Sequence, residues 1–210
     1  MGNTAAVEQN IQSLLGSKPA VAALLADFNN HQIRWAIYAG CETALLVANR
    51  VPTDIDIIVH DDDFEKTAGL LPTLRRYDNE SEIVTTTEGQ KINFVACGLV
   101  GQLESTEIDI MAGAAFSIDG HEFPVRLTDA AVNNRLRFRY QDTDIFLANP
   151  FDTILIKAFM RRGAEQNKFD KPDAEALAKI ISIDSNYRRQ RTAEVGKTPE
   201  VERFLQEVGL

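Results

Sequence analysis

The chain has 210 residues, of which 44% are apolar and 25% are charged, and its formal net charge at pH 7 is −9. This composition is ordinary for a globular protein with a hydrophobic core, and the length fits one domain or one domain with a helical extension. The acidic balance argues against a general nucleic-acid binder, which usually carries a basic excess, but it leaves room for a local basic groove.

Targeting signals and cysteine pairs are not evident in the sequence. No apolar run is long enough to span a bilayer, and the first four residues lack the basic and apolar regions of a signal peptide. Cys41 and Cys97 give neither a disulfide framework nor the spacing of zinc ligands. We therefore expect a cytoplasmic protein with no membrane association.

The first quarter of the chain predicts a helix, a strand and a second helix. A helix is expected over residues 19–30, with Pro19 in its first turn, and the apolar and aromatic residues at 33–39 predict a strand. Gly40 interrupts that strand where the backbone can approach a ligand closely. Residues 42–49 predict a short helix whose free N-terminal amides would suit an anion.

Two aspartates open the next predicted strand, over residues 54–59. Asp54 and Asp56 alternate with Ile55 and Ile57, so both carboxylates should point to one face. Aspartate is disfavoured in strands, so a pair on one face needs a reason other than exposure at a sheet edge. Two convergent carboxylates suit Mg²⁺ held together with substrate phosphates.

The middle of the chain predicts more strands than helices. The three aspartates at 61–63 favour a helix start over metal ligands, because an N-cap acid and negative charge suit a helix N-terminus. The elements expected next are a helix over 64–74, a hairpin of 82–87 and 91–97, a strand over 103–111 and a hairpin over 116–125. Together these elements predict an α/β fold with a sheet of mixed direction.

Three arginines alternate along the segment that follows. Arg135, Arg137 and Arg139 should share one strand face, beside Leu136 and Phe138. A solvated face is the favoured interpretation, and contact with substrate phosphate or RNA is the alternative.

Helices are predicted for the rest of the chain. Asn149 as N-cap, Pro150 in the first position and Asp152 where a capping-box acid would lie predict a helix through residue 162. Lys157 and Arg161 are four residues apart, on a stripe of this helix separate from its apolar face.

Two further helices are expected, over 170–181 and near 199–208. We accordingly divide the chain into a core over residues 1–145 and a C-terminal helical region over 146–210 that packs on it.

The motif Gly40-Cys41, followed by Arg50-x-x-Thr53-Asp54-Ile55-Asp56, resembles the core motif of the polymerase-beta-like nucleotidyltransferase superfamily. Within it, the chain is most similar to small bacterial and archaeal branches, which include abortive-infection and toxin-type enzymes and lincosamide-type antibiotic adenylyltransferases. The resemblance implies a mixed-sheet catalytic core with flanking helices and a C-terminal helical extension.

The resemblance also implies roles for residues outside the aspartate pair. A third carboxylate on a neighbouring strand is expected to be Asp109, with Glu107 on the same face as its competitor. The residues expected to contact the nucleotide are Gly40, Cys41, Arg50, Thr53, Lys157 and Arg161. Arg50 would pair with phosphate or with a nearby carboxylate. Asp170 and Asp173 resemble the acidic segment that accompanies the lysine, although Asp170 also suits a helix start.

Cys41 departs from the family pattern, which commonly has Ser or Gly there. A thiol donates a weaker hydrogen bond to phosphate than a hydroxyl does. No histidine or basic partner is adjacent in sequence, so Cys41 is expected to be a small packed residue rather than a nucleophile.

The implied reaction is transfer of a nucleoside monophosphate from ATP or another nucleoside triphosphate to a hydroxyl, with Mg²⁺ or Mn²⁺ at Asp54, Asp56 and Asp109. The acceptor is left open among a small molecule, a protein hydroxyl and a tRNA end. The alternative is a non-catalytic interaction protein on the same fold, such as a toxin–antitoxin or immunity partner, and a homodimer is compatible with either. A metal-dependent phosphotransferase or phosphatase is a third possibility.

Overall fold

A computed structural model describes residues 4–47, 52, 54–180 and 184–210. Its helices are α1 (Thr4–Ser17), α2 (Pro19–Asn30), α3 (Ala39–Val47), α4 (Phe64–Leu70), α5 (Asp129–Asn133), α6 (Pro150–Met160), α7 (Asp170–Ile180), α8 (Ser185–Val195) and α9 (Pro199–Glu207). Its strands are β1 (Trp35–Ile37), β2 (Asp54–Val59), β3 (Arg75–Thr85), β4 (Lys91–Leu103), β5 (Thr106–Ile118), β6 (His121–Pro124), β7 (Leu136–Tyr140) and β8 (Thr143–Leu147).

The strands form one sheet of mixed direction, which confirms the predicted α/β fold class. Its order is β3-β4-β5-β2-β1-β8-β7, with β6 paired to β5. The β2–β5 and β1–β8 pairs are parallel and the other pairs are antiparallel. The strand that begins on the two aspartates is therefore central, with neighbours on both sides. No helix in the described ranges is long and apolar enough to cross a membrane.

The two central parallel strands bury one face completely. Ile55, Ile57, Ile108 and Ile110 have no exposed surface, and each such side chain contributes about 1.5–3 kcal/mol of hydrophobic stabilisation. Because side chains alternate along a strand, the aspartates of β2 and β5 are held on the opposite face. Slipping either strand by one residue would bury carboxylates among these isoleucines, so the core fixes the register that positions the acids.

Local sequence signals placed several elements correctly. The structure confirms the helix over 19–30, the strand over 54–59, the hairpin predicted within 116–125, which turns at Asp119-Gly120, and the helix starting at Pro150. The Asn149 side chain accepts a hydrogen bond from the backbone N–H of Phe151, as expected of an N-cap.

Other element boundaries differ from the prediction. The helix predicted over 64–74 ends at Leu70, because Pro72 disfavours helical backbone at Leu71. The first hairpin strand, expected from residue 82, begins at Arg75. It lies at the sheet edge and its polar side chains are mostly exposed, which hides the strand in the sequence. Helices α1 and α8 were not predicted.

The aspartates at 61–63 form a 3₁₀ turn before α4, but none acts as the expected side-chain cap. Asp61 accepts from the Gly113 backbone N–H at 2.8 Å. Asp63 accepts from the Arg34 side chain at 2.7 Å and from its backbone at 3.0 Å. These hydrogen bonds connect the turn before α4 to β5 and to the start of β1, so the acids have a structural role.

Asp152 is not the capping-box acid that its position suggested. Its carboxylate accepts from the Tyr187 hydroxyl at 2.5 Å and from the Arg191 guanidinium at 2.6 Å. Because Arg191 is buried, this charge pair fixes α8 against α6. The polar segment before α9 is therefore α8, a packed helix.

Candidate functional site

Three aspartates form an acid wall, defined here as Asp54, Asp56 and Asp109. The parallel register of β2 and β5 sets Asp56 beside Asp109 and Asp54 beside Glu107. All three members of the acid wall line a main cavity of about 610 Å³, whereas Glu107 is exposed outside it. Of the two candidates for a third carboxylate, the structure thus brings Asp109 to the pair on β2.

Asp56 lies against the start of α3. The Gly40 backbone N–H donates a hydrogen bond to its carboxylate. Burial, followed by repulsion from Asp54 and Asp109, raises the pKa of Asp56 to about 7. Ionisation of Asp56 is therefore costly in this cavity, and the hydrogen bond from Gly40 offsets only part of that cost.

The chain enters α3 through Ala39 rather than through Gly40. Ala39 adopts a left-handed conformation with a φ of 53°, which is uncommon for a residue with a side chain. Its N–H donates to the Thr153 hydroxyl of α6 at 3.2 Å, and its carbonyl accepts from the Thr43 hydroxyl at 2.8 Å. These bonds hold the turn, so the helix starts three residues before the predicted Glu42.

Asp109 is held by a tyrosine that sequence reasoning missed. The Tyr77 hydroxyl donates to Asp109 Oδ1 at 3.0 Å. Burial raises the pKa of Asp109, and this hydrogen bond opposes the rise. Gly98 on β4 makes the contact possible, because a Cβ there would overlap the Tyr77 ring. A tyrosine in the polar edge strand gave no local signal of this role.

Lys157 lies in the main cavity on a wall formed by α6 and α7. It is buried, and its Nζ lies 2.8 Å from Asp173 Oδ2 and 3.4 Å from Asp170 Oδ1. Asp170 also accepts from the Arg162 backbone N–H at 2.8 Å and from the Arg162 side chain at 3.1 Å. Both cations therefore line the main cavity in fixed positions.

Arg161 points away from the main cavity. Its guanidinium donates to Glu88 at 3.1 Å, to Gln90 at 2.6 Å and to the Ala158 carbonyl at 2.7 Å. It lines a side cavity of about 290 Å³ instead. Residue 161 ends α6 in the left-handed region, with a φ of 41°, so the four-residue spacing from Lys157 did not predict its direction.

Lys168 lies in the loop between α6 and α7, lines the main cavity and opposes the rise in the pKa of Asp56. It was not predicted, because the sequence does not show that this loop returns to the sheet.

The remaining predicted site residues fall in two groups. Cys41 lies in the first turn of α3 and is fully buried, and burial raises the pKa of its thiol well above the usual range. Its side chain is packed, as predicted. Arg50 and Thr53 lie outside the described residues, although Pro52 between them lines the main cavity.

The three arginines near β7 serve packing and surface pairing. Arg135 donates to the Trp35 carbonyl at 2.5 Å, and its guanidinium lies 4.1 Å from the centre of the Phe146 ring. Arg137 donates to Asp144 at 2.6 Å, and Arg139 donates to the Asp142 carbonyl at 3.4 Å. None of the three lines the main cavity.

A divalent cation fits the chemistry of the acid wall. Carboxylate oxygens are hard ligands, and a cation would offset both the burial and the mutual repulsion that raise the pKa of Asp56. Across the described part of the chain, no three His, Cys, Asp or Glu side chains are already arranged as a metal-binding group.

Comparison with known proteins gives distant likenesses in fold. No protein-family model and no curated protein matches the chain. A Thermotoga maritima protein proposed to be a nucleotidyltransferase has a TM-score of 0.44 and 14% identity, over 61% of this chain and 74% of its own. An antigenic nucleotidyltransferase-like protein from Paracoccidioides brasiliensis has a TM-score of 0.46 and 17% identity, over 90% and 91%.

The antibiotic-resistance factor ANT(2'')-Ia, solved in solution, has a TM-score of 0.41 and 10% identity, over 92% of this chain and 91% of its own. With TM-scores below 0.5, the assignment of a function depends on this chain's own residues, above all the acid wall and the cations that share its cavity.

Proposed function

We propose that the chain is a metal-dependent nucleotidyltransferase, which moves a nucleoside monophosphate from a nucleoside triphosphate to a hydroxyl acceptor and releases pyrophosphate. The observation that carries the proposal is the acid wall on two parallel strands in one cavity with Lys157 and Arg162. Such a cavity suits a triphosphate with its divalent cation. The carboxylates would bind the metal ion, and the positive side chains would bind the phosphates.

Mg²⁺ or Mn²⁺ would be held by Asp54, Asp56 and Asp109. When bound, the cation would neutralise charge on the phosphate oxygens and orient them for in-line displacement. The carboxylates would have to turn toward the ion, since no metal-binding group is preformed among the described residues.

The positive side chains of the main cavity would bind the triphosphate. Lys157 and Arg162 are already held by Asp170 and Asp173, so their positions need little reorganisation. Lys168 adds a third cation on the same side. We assign to Arg162 the contact that the motif suggested for Arg161, because Arg162 lines the main cavity.

The turn into α3 and the segment after it would complete the donor site. Gly40 and Cys41 lie in the first turn of a nine-residue helix, where backbone N–H groups favour anions. The Gly40 N–H is already donated to Asp56, so the Cys41 amide is the one proposed to contact phosphate. Arg50 and Thr53 stay in the proposal from the sequence motif, as contacts to phosphate.

Asp109 is the proposed base. It would take the proton of the acceptor hydroxyl while that oxygen attacks the α-phosphorus and the bond to the β-phosphate oxygen breaks, releasing pyrophosphate. The raised pKa of Asp109 favours proton uptake, and the hydrogen bond from Tyr77 keeps its carboxylate oriented.

The acceptor stays open among a small molecule, a protein hydroxyl and a tRNA end. Glu80 and Glu82 on β3 also line the main cavity, and negative charge there disfavours RNA and favours a cationic acceptor.

The departure at Cys41 is the sequence feature that favours the interaction-protein alternative. Since the thiol is fully buried, it would not be the group that contacts phosphate, and the departure carries little weight for that alternative.

The test is release of pyrophosphate from each nucleoside triphosphate with Mg²⁺ or Mn²⁺ and a panel of hydroxyl acceptors. Asp54→Asn and Asp56→Asn should abolish transfer and remain folded. Glu107→Gln is the matched control, because Glu107 pairs with Asp54 in the sheet but lies outside the cavity. Full activity in either aspartate variant would refute the mechanism, and release of orthophosphate would indicate a phosphotransferase or phosphatase.

A further inference from the structure

Phe169 is one of two large apolar side chains that are strongly exposed among the described residues. Half of its surface, 50%, is exposed, and the other such residue is Ile83 at 64%. A single exposed apolar side chain on a protein surface needs no explanation. Phe169 differs from Ile83 in its location, because it lines the main cavity and Ile83 does not.

Phe169 belongs to the walls of two cavities. It lines both the main cavity and the side cavity, and so do Arg162 and Lys168. An exposed aromatic residue and two cations therefore share the wall of the main cavity.

The backbone around Phe169 is fixed. The Phe169 carbonyl accepts from the Asp173 N–H at 2.9 Å, and the Lys168 N–H donates to the Gly163 carbonyl at 3.1 Å. The next residue, Asp170, is buried in its ion pairs with Lys157 and Arg162. An exposed ring on an anchored backbone loses little freedom when a ligand packs against it, which favours binding.

We propose that the Phe169 ring stacks on the base of the donor nucleotide. This assignment rests on the proposed function, since it needs a triphosphate between the acid wall and the cations Lys157, Arg162 and Lys168. A base attached to that triphosphate would lie in or beside the same cavity, and Phe169 is the strongly exposed aromatic residue among those described that lines it. Every base has a flat face, so the stack gives affinity with little choice among bases.

The contribution of the base to affinity can be distinguished from that of the phosphates by comparing two ligands. Binding of a nucleoside triphosphate and binding of inorganic tripolyphosphate are each measured with Mg²⁺. Phe169→Ala should weaken nucleoside triphosphate binding about 10- to 100-fold, the range for loss of one aromatic–base stack. It should leave tripolyphosphate binding unchanged. Ile83→Ala is the matched control and should change neither. Because Phe169 is half exposed, Phe169→Ala should melt close to wild type without ligand.

Phe169→Trp gives a second, optical readout. The natural Trp35 is fully buried, so the added indole would be the exposed one. Nucleoside triphosphate should quench its emission and tripolyphosphate should not, and Ile83→Trp should respond to neither.

The outcomes distinguish this assignment from the proposed function. If Phe169→Ala binds nucleoside triphosphate as wild type does, while tripolyphosphate binding needs Mg²⁺ and Asp56, the base lies elsewhere and the donor site stands. If wild type binds neither ligand, the donor site fails and the stacking assignment fails with it.

Discussion

Replacing Asp56 by asparagine should change how the stability of the metal-free protein depends on pH. Burial, together with the carboxylates of Asp54 and Asp109, raises the pKa of Asp56 from the ordinary 3.8 to about 7 in the folded chain. An acid whose pKa is higher in the folded than in the unfolded chain stabilises the fold while it is protonated. That contribution is lost as the pH rises through the folded-state value.

The size of the effect follows from the pKa. One pKa unit corresponds to about 1.4 kcal/mol, and roughly two units separate pH 5 from the folded-state value. Asp56 should therefore remove about 2.7 kcal/mol from the free energy of unfolding between pH 5 and pH 8. For a chain of this length, the melting temperature would fall by roughly 5–10 °C. Asparagine does not ionise, so Asp56→Asn should lack this loss.

The assay is urea unfolding at several pH values from 5 to 8, with a chelator present to keep the protein free of metal. Asp142→Asn is the matched control, since it makes the same chemical change in the turn between β7 and β8, outside the main cavity. The stability advantage of Asp56→Asn over wild type should grow with pH, and that of the control should not. Parallel pH curves for wild type and Asp56→Asn would refute the electrostatic account of the acid wall.

Substitutions at three further residues, with one exposed control, test the buried polar groups. Glu42 is fully buried, and burial raises its pKa well above the usual range. The free energy of unfolding in urea of Glu42→Gln should therefore lie within about 1 kcal/mol of the wild-type value. Glu42→Ala should lower that free energy by about 2–4 kcal/mol. Lys157→Met removes the ion pairs that Lys157 makes with Asp170 and Asp173 and should lower the free energy of unfolding by about 3–5 kcal/mol by the same measurement. It should also weaken triphosphate binding in titration calorimetry. Arg191→Met, within the buried pair that holds α8, should lower the melting temperature strongly, whereas the exposed Arg188→Met should change stability by about 0.5 kcal/mol at most.

The acids on β2 could be predicted because their signal is local. Alternation with isoleucine fixes the face of Asp54 and Asp56 once the segment is a strand, and the structure places both as expected. Asp109 also alternates with isoleucines, so its strand face could be predicted in the same way. The register that sets it beside Asp56 is a long-range pairing, so the sequence favoured Asp109 only through the family resemblance and left Glu107 as a competitor.

The partners of the acids could not be predicted, because they arrive through packing. Tyr77 reaches Asp109 only because Gly98, on the neighbouring strand, leaves room for its ring. Arg162 and Phe169 enter the main cavity because Asp170 anchors the segment that joins α6 to α7. Contacts of this kind depend on where loops return to the sheet, and no spacing or propensity within one segment records that.

Binding of a nucleoside triphosphate with a divalent cation at the acid wall is the central claim. The most direct measurement is the thermal shift of wild type and of the Asp54→Asn/Asp56→Asn double variant with each nucleoside triphosphate, with and without Mg²⁺ or Mn²⁺. Ligand at about a hundred times its dissociation constant should stabilise wild type by roughly 2.7 kcal/mol. A shift that needs the metal and that the double variant loses is the predicted result. No shift in wild type with any triphosphate, or an equal shift in the variant, would contradict the account.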